Sequence, residues 1–366
     1  MANKSLRILM AGGGTGGHLF PALALADEVR KLQPGAQILF VGTKGKLEAR
    51  IVPDRRYPFR TIWISGFHRR LTVDNLLFPL KVVVSLAQSL FVIRQFHPHV
   101  VVGTGGYVCG PIVFVASMLG IPTVLHESNS YPGVTTRLLA SRATRVYIAF
   151  EATRRWLKRS ENVELIGTPT RDTLGTISKE EGRRFFGLTG ERKTVLVFGG
   201  SLGATSINSA VLASLDDLLA AGVQLIWQTG EADYQRICRS VGGTSIGWLG
   251  AFIDRMECAF AAADVVVCRA GALTLAELTR VGKAAILVPY PFAAADHQTH
   301  NARSLADAGA AVIVPDGEVA QQLKSVLLDL LRDGARIEQM SASSARLGKP
   351  KAGQEIAANI LQLAGS

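Results

Sequence analysis

The chain has 366 residues, 48% of them hydrophobic and 19% charged, which excludes a disordered chain and leaves room for about two domains. Its net charge of +11 is lopsided: residues 1–166 carry 21 Lys and Arg against 9 Asp and Glu, and residues 167–366 carry 19 against 20. A basic first half points to an anionic surface, nucleic acid or lipid, or to solubility alone. Cys109, Cys238, Cys258 and Cys268 form no C-x-x-C pair, so the pattern argues against a zinc site or a disulfide framework and for a reduced, cytosolic chain.

No secretory signal is expected in "MANKSLRILMAGGG", and the most apolar of the longer runs, "VVVSLAQSLFVI" (82–93), is too short at twelve residues for a bilayer span. In chain order, "LRILMA" (6–11) reads as a buried strand, "HLFPALALADEVRKL" (18–32) as a helix and "AQILFVG" (36–42) as a second strand. Further strand-like runs fall at 99–103, 123–127, 145–149 and 163–167, with helix-like stretches between most of them. The pattern restarts at "KTVLVFGGSLGATSIN" (193–208) and continues with strands at 223–229, 264–268, 284–290 and 310–314. Alternating strands and helices predict parallel sheets covered on both faces, in two Rossmann-like halves joined near "GTPTRDTLG" (167–175).

Each half opens with a glycine-rich turn between strand and helix. Five glycines fall within residues 12–17, interrupted only by Thr15 and followed by His18. Such a turn lets backbone N–H groups approach an anion, typically a diphosphate, beside the positive end of a helix. "GGGTGG" also contains the G-x-G-x-x-G of dinucleotide sites, but strand two ends in "FVGTKGK" without the acidic residue that NAD recognition wants. In "CRAGALTLAELTRVGKAAILVPYPFAAADHQTHNA" (268–302), Glu277 could accept hydrogen bonds from ribose hydroxyls, and Gln298 could bond a sugar through donor and acceptor together. Either could equally be an ordinary helix-surface residue. No Asp-x-Asp occurs, so no required metal and no cofactor are expected.

"GGGTGGHLFPALALA", "GTGGYVCGP" (103–111), "HESNSYPG" (126–133), "FGGSLGA" (198–204) and "RAGALTLAEL…VPYPFAAADHQTHNA" occur in this order, and the chain resembles the MurG family of N-acetylglucosaminyltransferases. The resemblance implies an α/β GT-B fold, two Rossmann-like domains with parallel sheets facing a cleft. It implies an acceptor- and membrane-binding domain at 1–166, a UDP-GlcNAc domain at 167–345, and a C-terminal helix at 346–366 returning to the first domain. The activity implied is inverting transfer of GlcNAc to the C4 hydroxyl of undecaprenyl-pyrophosphoryl-MurNAc-pentapeptide (lipid I), giving lipid II for peptidoglycan. The implied partners are UDP-GlcNAc, lipid I and the anionic inner leaflet at the cytoplasmic face, with no nucleic acid.

Carried over motif by motif, Thr15, Gly16 and Gly17 would meet the donor near its pyrophosphate, and Asn129 its GlcNAc. Arg171 and Ser201 would bind the nucleotide or its diphosphate, and the Ile253 backbone the uracil. Ala272, Leu273, Thr274, Leu275, Ala276 and Glu277 would wall the nucleotide, with Glu277 on the ribose and Gln298 on the sugar. His18 is the candidate base, or else it only bonds substrate or orients the loop; His126 and Glu127 are weaker candidates. The competing readings are an NAD(P) oxidoreductase, another GT-B enzyme such as a UDP-GlcNAc 2-epimerase, and a non-enzymatic nucleotide or lipid binder. Leu76, Leu77, Phe78 and Leu80, with Arg69, Arg70, Lys81 and Arg94, are expected to form an apolar tip ringed by cations on an anionic leaflet.

Overall fold

The computed structural model of the chain describes residues 6–66, 77–200 and 202–365. It forms two compact units, Met1–Thr170 with Pro350–Ser366, and Arg171–Lys349. The first break falls later than residue 166 because Gly167 remains tied to the first unit. Its N–H donates to Ile148 O at 3.1 Å, and its carbonyl meets His126 Nε2 at 3.0 Å.

The first unit runs β1 (Arg7–Ala11), α1 (Gly16–Leu32), β2 (Gln37–Gly42), α2 (Leu47–Asp54), β3 (Phe59–Thr61), α3 (Phe78–Phe96) and β4 (Val100–Gly103). It continues with α4 (Cys109–Met118), β5 (Thr123–Glu127), α5 (Val134–Leu139), β6 (Arg145–Ile148), a 3-10 turn (Glu151–Trp156) and β7 (Val163–Leu165). Among the described residues its strands form one parallel sheet in the order β3-β2-β1-β4-β5-β6-β7. Strand alternation sends Leu9 and Ala11 into one core and Ile8 and Met10 into the other, so both faces are dry. β3 is three residues long with a mostly exposed pattern, which hid it from hydrophobic periodicity.

The second unit runs α6 (Lys179–Phe185), β8 (Lys193–Phe198), α7 (Thr205–Ala213), α8 (Leu215–Ala220), β9 (Val223–Gln228), α9 (Glu231–Val241), β10 (Gly247–Gly250), α10 (Met256–Ala262) and β11 (Val265–Cys268). It ends with α11 (Ala272–Val281), β12 (Ala284–Leu287), α12 (His297–Ala306), β13 (Ala311–Ile313), α13 (Val319–Arg332) and α14 (Gly334–Leu347). Its parallel sheet is ordered β10-β9-β8-β11-β12-β13. The last helix, α15 (Ala352–Gly365), belongs to the first unit, where Ile356, Ala357 and Ile360 join Ile8, Met10 and Leu23 in one buried cluster.

Strand order reverses between β1 and β4 in the first sheet, and between β8 and β11 in the second. Ligands of open α/β sheets sit at such switch points, beyond the carboxyl ends of the strands. The turns that follow these strands are the glycine-rich segments singled out by sequence.

Candidate active site

At the first switch point the turn after β1 interlocks with the turn after β4. Thr104 Oγ1 donates to His18 O at 2.7 Å, and His18 Nδ1 meets Thr104 O at 3.1 Å. A carbonyl only accepts, so Nδ1 carries the ring proton and Nε2 is the basic nitrogen of the neutral imidazole. A Cβ on Gly105 would come within 2.5 Å of the His18 ring, which explains the glycine there. Thr15 caps α1 in extended conformation and is exposed with Gly17; Gly16 and His18 are half-buried. His18 N and Leu19 N already donate to Thr15 O (3.3 and 3.1 Å), so the N–H groups of Gly16 and Gly17, at the very start of α1, are the ones placed to receive an anion.

Gly14, by contrast, turns inward. Its N–H donates to Glu48 Oε2 at 3.0 Å. Glu48 comes from α2, so an acid does lie beneath the end of β2, though no acid stands there in sequence. Both its oxygens are engaged by protein donors.

Beyond β5, Glu127 is buried and accepts four hydrogen bonds: from Asn129 N (3.0 Å) and Nδ2 (3.1 Å), Gly133 N (2.9 Å) and Thr136 Oγ1 (2.7 Å). It fixes the segment that carries half-buried Asn129, with both oxygens bonded to that segment. His126 is buried with Nε2 on Gly167 O, and burial lowers its pKa, so it stays neutral. These two residues build the loop, which leaves His18 as the more accessible base candidate.

At the second switch point, α11 begins right after β11. Ala272, Leu273, Thr274 and Ala276 are half-buried along its first turns, and Leu275 and Glu277 are buried. Glu277 is 4% exposed, and burial raises its pKa while Arg171 opposes the rise. Arg171 is exposed and places Nε 3.2 Å from Oε1, yet that oxygen receives no hydrogen bond among the described residues. A buried carboxylate oxygen without a donor is rare and calls for a ligand hydroxyl or water.

Gln298, on α12, accepts at Oε1 from Tyr290 N (2.9 Å) and Ala270 N (3.2 Å). Its oxygen is thus spent on the loop backbone, and only its NH2 group can donate to a sugar. That loop holds Ala295 and Asp296 at φ of 52° and 54°, a costly conformation for residues with a Cβ.

The turn after β8 lies against Thr229 and Gly230, where Gly203 (φ 80°) has no space for a side chain. Ser201 lies outside the described residues, as do Arg69, Arg70 and Leu76. The sequence reading missed Gln228. It is buried at the end of β9, donates from Nε2 to Gly200 O at 2.9 Å and accepts at Oε1 from Ile253 N at 3.1 Å. Ile253 is buried, and with its N–H occupied its carbonyl is the backbone group left to meet a base.

Residues 8–148 match the glycosyltransferase family 28 N-terminal domain and residues 194–356 the glycosyltransferase family 28 C-terminal domain. The UDP-N-acetylglucosamine–N-acetylmuramyl-(pentapeptide) pyrophosphoryl-undecaprenol N-acetylglucosamine transferase of Chlorobaculum parvum is 43% identical over 99% of this chain and 100% of its own length. The crystal structure of Acinetobacter baumannii MurG superposes with a TM-score of 0.80 at 28% identity, covering 98% of this chain and 99% of that one. A UDP-N-acetylglucosamine 2-epimerase shares the fold alone, with a TM-score of 0.63 at 14% identity over 99% and 97% of the two chains. The chain belongs to the MurG family of glycosyltransferase family 28, the N-acetylglucosaminyltransferases that make lipid II.

Proposed function

We propose that this chain transfers GlcNAc from UDP-GlcNAc to the C4 hydroxyl of a lipid-linked MurNAc-pentapeptide, with inversion at the anomeric carbon. The second unit holds the donor and the first unit the acceptor. The observation that carries the donor assignment is Glu277, a buried carboxylate oxygen without a hydrogen bond beside an exposed arginine at a topological switch point. Ribose hydroxyls supply the missing donors. Arg171 and the start of α11 complement the diphosphate, whose negative charge grows as UDP departs.

In the reaction, the C4 hydroxyl oxygen forms the new bond to the anomeric carbon as the carbon–oxygen bond to UDP breaks. His18 Nε2 takes the hydroxyl proton, because Nδ1 is already committed to Thr104 O. Thr15, Gly16 and Gly17 bring the helix N-terminus to the diphosphate, Asn129 meets the GlcNAc, and the Gln298 NH2 group donates to a sugar hydroxyl.

Peripheral binding to an anionic leaflet is the second part of this reading. It rests on α3, whose buried side includes Lys81, Ser85 and Ser89 while Leu80, Val83 and Phe91 face outward, Val83 at 64% and Phe91 at 67% exposure. Leu77 is also exposed, whereas Phe78 packs on the core. An exposed apolar stripe on a basic unit suits an interface between water and anionic lipid. No described helix is long and apolar enough to cross a membrane.

The test is direct: radiolabelled UDP-GlcNAc is incubated with a lipid I analogue, and disaccharide and UDP are measured. Stoichiometric formation of both is expected. Epimerised UDP-sugar without transfer, or thermal stabilisation by NADH in place of UDP-GlcNAc, would refute the reading.

A further inference from the structure

None of these roles uses Glu48, yet the first switch point is built around it. It is the second residue of α2 and only 1% exposed. Oε2 accepts from Gly14 N at 3.0 Å; Oε1 accepts from Thr43 N at 3.1 Å and Thr43 Oγ1 at 2.8 Å. Two glycines make room for it: a Cβ on Gly13 would come 2.5 Å from its Cδ, and one on Gly42 2.5 Å from its Cγ. A carboxylate so deeply buried is tolerated only with such donors, and charge-assisted bonds are the stronger kind.

The geometry reaches the site in one step. Gly14 sits at φ 84°, and its outer side is closed by Tyr107, whose Cε1 lies 2.9 Å from where a Cβ would stand. Gly14 is therefore pinned between an aromatic ring and a fixed carboxylate. The next residue, Thr15, caps α1, and His18 lies on that helix's first turn.

We propose that Glu48 is a positioning residue for GlcNAc transfer: its carboxylate, bonded at once to Gly14 and Thr43, holds the turn that presents Thr15 to His18 in its reactive shape. The inference rests on the transferase reading above. It also directs an anion away from Gly14, whose N–H is taken, and toward the N–H groups of Gly16 and Gly17 at the start of α1.

The experiment compares wild type, Glu48→Gln and Thr43→Val, with Val52→Ala as a control that weakens buried packing on α2 without touching the carboxylate. Melting temperature, amide exchange of the 12–17 segment, kcat and both KM values are measured. Glu48→Gln is expected to exchange faster at 12–17 and to lose about tenfold to a hundredfold in kcat, the cost of a misplaced catalytic group. Its KM for UDP-GlcNAc should rise by less than kcat falls, since Glu277, Arg171 and Gln298 hold the donor from the other unit and only the Thr15–Gly17 contact to the diphosphate is loosened. Thr43→Val, which removes one of three donors without stranding the charge, should show the same pattern more weakly, and it decides the matter if Glu48→Gln does not fold. Unchanged exchange or unchanged kcat in a folded variant overturns the proposal, as does an equal kcat loss in Val52→Ala at matched melting temperature. A wild type without transfer activity would refute the transferase reading instead, while the exchange comparison still judges the clamp.

Discussion

Arg171 and Glu277 stand 3.2 Å apart at Nε and Oε1, an ion-pair contact whose alignment leaves the carboxylate oxygen without a hydrogen-bond donor. Arg171 is half-exposed and its attraction is screened, so burial dominates and the Glu277 pKa lies above the ordinary carboxylate range. A carboxyl with a raised folded-state pKa favours folding below its unfolded value and loses that contribution as pH rises through the folded one. A ribose that donates to the charged form reverses the preference.

UDP affinity of the wild type should therefore rise with pH across the Glu277 titration, above the usual carboxylate range. Glu277→Gln should flatten that component and weaken binding by about 1.5–3 kcal/mol at neutral pH. Calorimetric titration of both proteins across pH checks this. Identical pH profiles would remove Glu277 from the nucleotide site.

For His18, replacement by Ala should reduce kcat by about 10²–10⁴-fold while leaving UDP-GlcNAc affinity near normal. If donor affinity falls in step with turnover, the imidazole is a binding group and not the base. His18→Gln, which keeps a side-chain donor but no base, should be as inactive as His18→Ala.

Gln228→Leu should strand the Gly200 carbonyl and the Ile253 N–H, both bonded to the Gln228 amide. UDP binding should weaken by about 1–3 kcal/mol, because the two loops lose their common support. A calorimetric Kd equal to wild type would show that each loop holds its shape alone.

Burial also sets an acid limit on the first unit. His126 has a lowered pKa, so its unfolded form takes up protons first as pH falls through about 6.5. Stability should drop from that pH downward, and His126→Asn should lessen the drop. Melting curves between neutral and mildly acidic pH distinguish this from a general acid effect.

The membrane reading predicts that wild type pellets with anionic vesicles at low salt and releases as salt rises, since each nearby Lys or Arg contributes about 1 kcal/mol. Leu80→Glu/Val83→Glu replaces two exposed side chains of α3 and should abolish pelleting while soluble-substrate turnover persists. Equal pelleting of both proteins would clear α3 of that role.

The strand–turn–helix rhythm was legible in sequence because strands buried on both faces read as unbroken apolar runs: 123–127 is read and found at the same bounds, and the glycine turns follow β1 and β8 as expected. Short, partly exposed strands, β3 and β10, were not legible, since their placement depends on the neighbours that pair with them. The motifs also marked most candidate side chains. What they could not convey is which atoms remain available. Gln298 loses its oxygen to Tyr290 and Ala270, Ile253 loses its N–H to Gln228, and Glu127 spends both oxygens on its own loop. Nor could they reveal Glu48, which lies 34 positions from the Gly14 N–H it receives. Hydrophobic periodicity is local and survives in one dimension. Hydrogen-bond partnership between loops at a switch point exists only once the crossovers have brought distant strand ends side by side.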